Sequence, residues 1–371
     1  MRPTFVEVDL AAIRYNVHQT RKLLSPATFI MAVVKANAYG HGALKVSKAA
    51  LAAGAHFLGV ALPEEGAELK EAGFNVPIFV LGLTLAEQVK ILMEYNLIAT
   101  ISDLESARLL AEEARKTRSP VQIMIKIDTG MGRIGIRPEE ATNFIEKITS
   151  FSELKLQGIF THLAKAEDED QTFTRQQVQK LAEVAERIKK MGFPIPLISA
   201  ANSAGIITLA AGHFNLVRPG IMLYGLPPAS NFKMPFSLIP AMQFKTKVVF
   251  IKEVPAGTPI GYGCTYITPQ KTFVATLPVG YADGYNRQLS NKASVLIKGQ
   301  RRKVIGRVCM DQIMVDLGPR NEVQVGEEVV LFGCQGEEEI TVTELADLAG
   351  TINYELVCAI SSRVPRVYLH E

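Results

Sequence analysis

The apolar run FIMAVV, residues 29–34, ends on Lys35, with Tyr39 and His41 close behind. Other apolar runs also end on polar, reactive residues. VQIMIKID (121–128) delivers Lys126 and Asp128, with Arg133 beyond them, and LQGIFTHL (156–163) delivers His162. LISAAN (197–202) ends on Asn202 and is followed by Ser203, and FNLVRPG (214–220) carries Arg218 and Gly220, with Ile221 next. An ammonium at the end of a buried strand carries a heavy desolvation cost unless it is paired, neutralised or used. Alternation along 121–128 sends Val121, Ile123, Ile125 and Ile127 to one face and Gln122, Met124, Lys126 and Asp128 to the other, so Lys126 faces inward. Each residue alone has an ordinary reading: a solvated lysine, a packed histidine, an arginine paired with a surface carboxylate. Their joint placement at successive strand ends is what points to chemistry.

That chemistry starts with a phosphate. In NSAG (202–205) Ser203 is a helix N-cap and Gly205 permits close approach, while RPGI (218–221) offers the Gly220 and Ile221 amides. A phosphate seat with a lysine and an arginine beside it suits pyridoxal phosphate, which forms a Schiff base with lysine and needs an Asp or Arg at its ring nitrogen.

The elements that must position these groups follow from periodicity. Eight short apolar runs, at 29–35, 57–62, 77–82, 97–102, 121–128, 156–163, 197–202 and 214–220, alternate with helix-like segments such as 43–53, 103–116, 138–150 and 172–191. This predicts an α/β fold, a TIM-type (α/β)8 barrel over residues 1–238 whose strand C-termini share one mouth. Beyond residue 240 the runs FKTKVVFIKEV, TFVATLPVGY, SVLIKG and EEVVLFG, broken by Gly, Pro and Asn turns, predict an all-β, strand-rich domain over 239–371. PPASNFKMPFSLIP (227–240), with four prolines, is the expected linker.

GMGRIG (130–135) matches a dinucleotide fingerprint in outline. Against that reading, the unit is fifth among eight similar ones, the next strand ends on His162 rather than a ribose-binding acid, and the helix starts only near Pro138. The glycines are instead expected to let the loop carrying Arg133 lie close to a ligand.

The 371 residues are 48% apolar and 21% charged with a formal net charge of +3, which gives no basis for a nucleic-acid or membrane surface. The four cysteines form no CxxC pair, so neither a structural zinc site nor thioredoxin-like chemistry is expected, and no metal is assigned. The N-terminus MRPTFVEVDL lacks the layout of a signal peptide, and no apolar run suggests a membrane span; a soluble, cytoplasmic protein is expected.

AVVKANAYGHG, KIDTGMGRIG, GIFTHLA, NSAG, VRPGIMLYG, IGYGCTY, VGYADGY, VCMDQIMVD and INYELVCAISSRVPR occur in an order that resembles the bacterial alanine racemases over essentially the whole chain. The resemblance implies a homodimer with active sites between the barrel of one subunit and the β domain of the other, and D-alanine production for cell-wall peptidoglycan. It implies that Lys35 holds pyridoxal phosphate, that Tyr39, Ser203, Gly220, Ile221 and Tyr354 bind its phosphate, and that Arg218 contacts the ring nitrogen. Lys35 and Tyr262, the latter from the partner subunit, become the two acid/base groups that racemisation requires. His162 with Arg218 forms a relay, Arg133 and the Met310 backbone hold the substrate carboxylate, Tyr281 lines the approach, and Asp311 supports the same site. Lys126 matches a position often carbamylated in the family. THLAKAEDED departs from the family pattern at Lys165 and the acidic run after it, which leaves substrate breadth open, including a broader small amino-acid racemase. A non-catalytic pyridoxal-phosphate barrel resembles the first domain alone, and barrel-fold decarboxylases pair the ring nitrogen with an acid where this chain has Arg218.

Overall fold

The computed structural model describes residues 2–371. The chain opens with β1 (Phe5–Asp9), and Asp9 then caps the helix Leu10–Lys22 by accepting the Ala11 and Ala12 N–H groups at 2.8 and 3.3 Å. Parallel strands follow: β2 (Phe29–Val33), β3 (Phe57–Val60), β4 (Ile78–Val80), β5 (Ala99–Ile101), β6 (Val121–Lys126), β7 (Leu154–Phe160), β8 (Leu197–Ser199) and β9 (Leu216–Val217). Each falls on one of the eight apolar runs, seven of them wholly within it; β7 starts at Leu154, two residues before the expected 156–163 run. They pair in the orders β4-β3-β2-β9 and β5-β6-β7-β8. The Val80 and Ile98 N–H groups close one seam by donating to Ile98 and Ile78 carbonyls at 2.9 Å, and Arg218 N–H donates to Ala201 O at 3.0 Å across the other. The result is the closed barrel.

Met31, Phe79, Ile98, Met124, Phe160, Leu197 and Leu216 pack together inside it. Met124 in this set confirms the alternation along β6, and Lys126, two residues on, is 3% exposed.

The β domain holds β10 (Met242–Lys247), β11 (Phe250–Val254), β12 (Pro259–Ile260), β13 (Tyr266–Ile267), β14 (Thr272–Leu277), β15 (Ser294–Ile297), β16 (Gln300–Ile305), β17 (Ile313–Gly318), β18 (Glu328–Gln335), β19 (Glu338–Ile340) and β20 (Arg366–Leu369). Its main sheet runs β11-β14-β17-β16-β15-β18-β10-β1-β20. The expected division at 1–238 therefore needs a correction at its start. β1 pairs antiparallel with β10 and parallel with β20, so the first strand belongs to the second domain. Its partners lie at the far end of the chain, where local periodicity has no reach. The proline-rich 227–240 segment contains no strand or helix, as expected of a linker, and is tied down by Asn16, which donates to Ile239 O at 2.9 Å. Among the described residues no helix is long and apolar enough to cross a membrane.

Candidate active site

Lys35 leaves β2 on a tight turn that periodicity does not announce. Ala36, Asn37, Ala38 and Tyr39 all have φ of 52°, the left-handed region that non-glycine residues avoid at about 1–2 kcal/mol each. Hydrogen bonds from distant residues hold it. The Glu65 carboxylate accepts Ala36 N–H at 2.5 Å, Ala61 N–H at 2.7 Å and Leu62 N–H at 3.2 Å, which locks the turn to the end of β3. Asn37 Oδ1 accepts Ala43 N–H at 2.8 Å, and Arg366 donates from Nε to Gly40 O at 3.1 Å. Gly40 has φ +80, and a Cβ there would lie 2.2 Å from Val357 O, so only glycine fits. His41 is fully buried with Nδ1 2.9 Å from Tyr39 O, its ring stacks on Tyr224 at 4.5 Å, and burial pulls its pKa down to about 4.

The barrel mouth gathers cations. Burial, then Arg133, lowers the Lys35 pKa, opposed by Glu65. Lys126 sits with Nζ 4.5 Å above the Phe160 ring; burial first, then Arg218 and Arg133, pull it well below the usual lysine range. Arg218, 4% exposed, donates to Thr161 O at 2.7 Å, to Ala200 O at 3.2 Å and to the Ser199 hydroxyl, and burial takes it down to about 10. Its Nη2 also lies 3.4 Å from His162 Nδ1. His162 is held neutral by burial and by Arg218, and an accepting Nδ1 leaves its proton on Nε2. Among the described residues no carboxylate forms an ion pair with Lys35, Lys126, Arg133 or Arg218.

Beside these cations lies a small cradle. Asn202 caps the helix Ser203–Thr208 through Gly205 N–H at 3.0 Å and donates to Leu163 O at 3.3 Å. Ser203 Oγ accepts Gly220 N–H at 2.9 Å, so the Gly220 amide is engaged within the chain, whereas the Ser203 and Ile221 amides lie in first helical turns without intrahelical partners. A Cβ on Gly220 would come within 2.7 Å of Tyr39 Oη and 3.9 Å of Ser203 Oγ. The Tyr39 ring packs between Tyr224 and Tyr354, with centroids at 4.8 and 6.1 Å.

The GMGRIG loop has no dinucleotide geometry. Asp128 accepts the Gly130, Met131 and Gly132 N–H groups, and Gly135, at φ +125, lets the chain double back so that Ile136 N–H reaches Lys126 O at 3.0 Å. The following helix starts at Ala141. Arg133 stands exposed at the tip.

The remaining predicted residues lie elsewhere. Tyr262, Tyr281 and Met310 are on the surface of the β domain, 72, 43 and 53% exposed, and Asp311 pairs with Arg363 at 2.8 Å. Among the described residues no hydrogen bond or ion pair joins them to Lys35. The sequence reading missed Glu65 and also Gln177, which donates to His162 O at 3.0 Å and accepts Ala164 N–H at 2.9 Å. The capping position of Glu65 after Pro63 was visible, but not its reach to Ala36.

Comparison with known proteins decides the family. The N-terminal domain of alanine racemase matches residues 8–228, and its C-terminal domain matches 241–368. The chain belongs to the alanine racemase family. An alanine racemase of Halothermothrix orenii is 48% identical, with 99% of this chain and 97% of the relative covered. The solved alanine racemase of Bacillus anthracis with bound L-Ala-P superposes with a TM-score of 0.95 at 38% identity, over 100% of this chain and 96% of that one. The Bartonella henselae alanine racemase with covalently bound pyridoxal phosphate gives 0.89 at 30% identity, with both chains fully covered. The family's two-domain plan thus extends over the whole chain.

Proposed function

We propose that this chain interconverts L-alanine and D-alanine with pyridoxal phosphate as cofactor, supplying D-alanine for peptidoglycan. In this reading it works as a homodimer whose sites each join one barrel to the partner's β domain. The observation that carries the reading is the mouth itself: Lys35, Lys126, Arg133 and Arg218 converge there with, among the described residues, no carboxylate in an ion pair with them, beside the Ser203–Gly220 cradle. Such a mouth suits a ligand bearing a phosphate and a carboxylate. The cofactor fits the donor set: the Ser203 and Ile221 amides, the Ser203 hydroxyl and Tyr39 could hold its phosphate where Gly220, lacking a Cβ, lets Tyr39 Oη approach, with the Tyr354 ring packed on Tyr39.

When bound, pyridoxal phosphate supplies a carbonyl that condenses with amines and an electron-withdrawing ring that acidifies the Cα–H of the attached amino acid. Everything else falls to the protein. Lys35 Nζ, whose ammonium form burial and Arg133 disfavour, takes or gives the proton on one face of Cα. The partner subunit's Tyr262 does so on the other face through Oη, with His162 Nε2–H and the Arg218 charge behind it stabilising a phenolate. Arg133 and the backbone at Met310 hold the substrate carboxylate, Tyr281 lines the approach, and Arg218 meets the ring nitrogen as a donor that keeps its own proton.

Incubating the purified protein with L-alanine and following D-alanine tests the function. Conversion to a near-equal mixture is expected, and no D-alanine from protein loaded with pyridoxal phosphate would overturn the assignment.

Two outcomes follow from the site. Gly220→Ala fills the cradle and is expected to weaken pyridoxal phosphate binding by about tenfold or more, about 1.4 kcal/mol, as read by absorbance titration. Lys126, whose ammonium form burial, Arg218 and Arg133 disfavour, is placed to add carbon dioxide, release a proton and become a carbamate between Arg133 and Arg218. Isotopically labelled bicarbonate should then give a carbamate carbon resonance that is missing in Lys126→Met.

A further inference from the structure

The motif SSRVPR holds an arginine that the account above does not use. Arg363 Nη2 lies 2.8 Å from Asp311 Oδ1, and its Nε lies 3.0 Å from Asp283 Oδ1. Asp283 is fully buried and has two further partners: Arg2 Nη2 at 2.7 Å and Gly280 N–H, which donates to Oδ2 at 3.1 Å. The same turn grips the strand beside it, for Tyr281 N–H donates to Cys309 O at 3.0 Å and Ala282 N–H to Met310 O at 3.1 Å. A Cβ on Gly280 would lie 2.3 Å from Met310 O, so the two segments are in direct backbone contact. Met310 and Asp311 are thus held through their backbones by the 280–282 turn and, among the described residues, on the side-chain side by Arg363 alone.

We propose that Arg363 is a positioning residue for substrate: by bridging Asp311 to the buried Asp283 it fixes the Met310–Asp311 segment that meets the alanine carboxylate in the partner's barrel. The proposal rests on the shared-site reading above. Planar guanidinium geometry suits the task, because one side chain contacts both carboxylates from different nitrogens, which a lysine ammonium does less well. Removing Arg363 still leaves Asp283 paired with Arg2 and Gly280 N–H, so the fold has a reason to survive.

The test compares Arg363→Ala with Arg2→Ala in the pyridoxal-phosphate-loaded enzyme. Arg2 also pairs with Asp283 but does not touch Asp311. Arg363→Ala is expected to raise the KM for alanine by about tenfold with kcat nearly unchanged, the pattern of lost uniform binding. Propionate, which is alanine without its amine, should inhibit it about tenfold more weakly. Arg363→Lys should recover part of both losses. Arg2→Ala should lower the melting temperature and leave KM and propionate inhibition as they were. An Arg363→Ala enzyme with unchanged KM and propionate inhibition overturns the proposal, as does an equal shift in Arg2→Ala. Dimers of wild-type subunits with Lys35→Ala/Arg363→Ala subunits separate this from the shared-site reading. Their live site takes its β domain from the double variant, so the raised KM is expected. A wild-type KM in those dimers, alongside a raised KM in the single variant, would show Arg363 acting in its own barrel and overturn the proposal in its stated form. Failure of the shared-site reading itself appears separately, as absence of rescue between Lys35→Ala and Tyr262→Phe subunits.

Discussion

Lys35→Ala will lower alanine racemisation by about 10⁴-fold or more, because in the proposed mechanism the residue serves both as covalent anchor and as acid/base group. Tyr262→Phe will lower it by about 10²- to 10⁴-fold, the usual worth of one positioned proton carrier. Neither change should disturb the fold. Tyr262 is 72% exposed, and the Lys35 turn is held by Glu65, Asn37 and Arg366 through backbone groups rather than through the lysine side chain. An equal mixture of the two variants, refolded together, should regain about a quarter of the wild-type rate, since half the dimers are mixed and each mixed dimer has one intact site. Activity is measured against heterodimer content. Absence of rescue with confirmed heterodimers would place Tyr262 outside the partner's site.

Arg218→Glu carries the second large effect. The arginine donates to Thr161 O, Ala200 O and the Ser199 hydroxyl, and an ionised glutamate can only accept, so buried carbonyls would lose their donor and face a like partial charge. A loss of about 1–3 kcal/mol in stability is expected from unsatisfied buried groups alone, read as a lower midpoint in urea. At the catalytic level racemisation should fall by about 10²-fold or more through the lost electrostatic support. His162 should titrate higher, since Arg218 is the strongest charge holding its pKa down. A carboxyl in this position also favours a protonated ring nitrogen, a deeper electron sink, so pyruvate formation from alanine should rise. A variant that racemises normally and forms no more pyruvate than wild type would count against the role given to Arg218.

How much of this was legible in the sequence depended on how local the cause was. The barrel strands could be read because each is a short apolar run between turn-forming residues, and β6 displayed its inward face through simple alternation. Lys126, His162, Ser203 and Arg218 followed directly, since the end of a strand in a closed barrel fixes where a side chain goes. The turn after Lys35 could not be read. Four consecutive non-glycine residues in the left-handed region have no signature of their own and persist because Glu65 and Arg366 hold them from afar. The same non-locality placed β1 in the β domain, where its partners are β10 and β20. Tyr262, Tyr281, Met310 and Asp311 came from family likeness alone, as strand-rich sequence gives an exposed tyrosine no distinguishing mark.

The most direct measurement is reduction of the loaded protein with borohydride, which fixes the lysine–cofactor bond, followed by peptide mapping. The account predicts a single pyridoxyl adduct on Lys35, in the peptide that carries AVVKANAYGHG. An adduct on Lys126 or another lysine, or none at all, would contradict it.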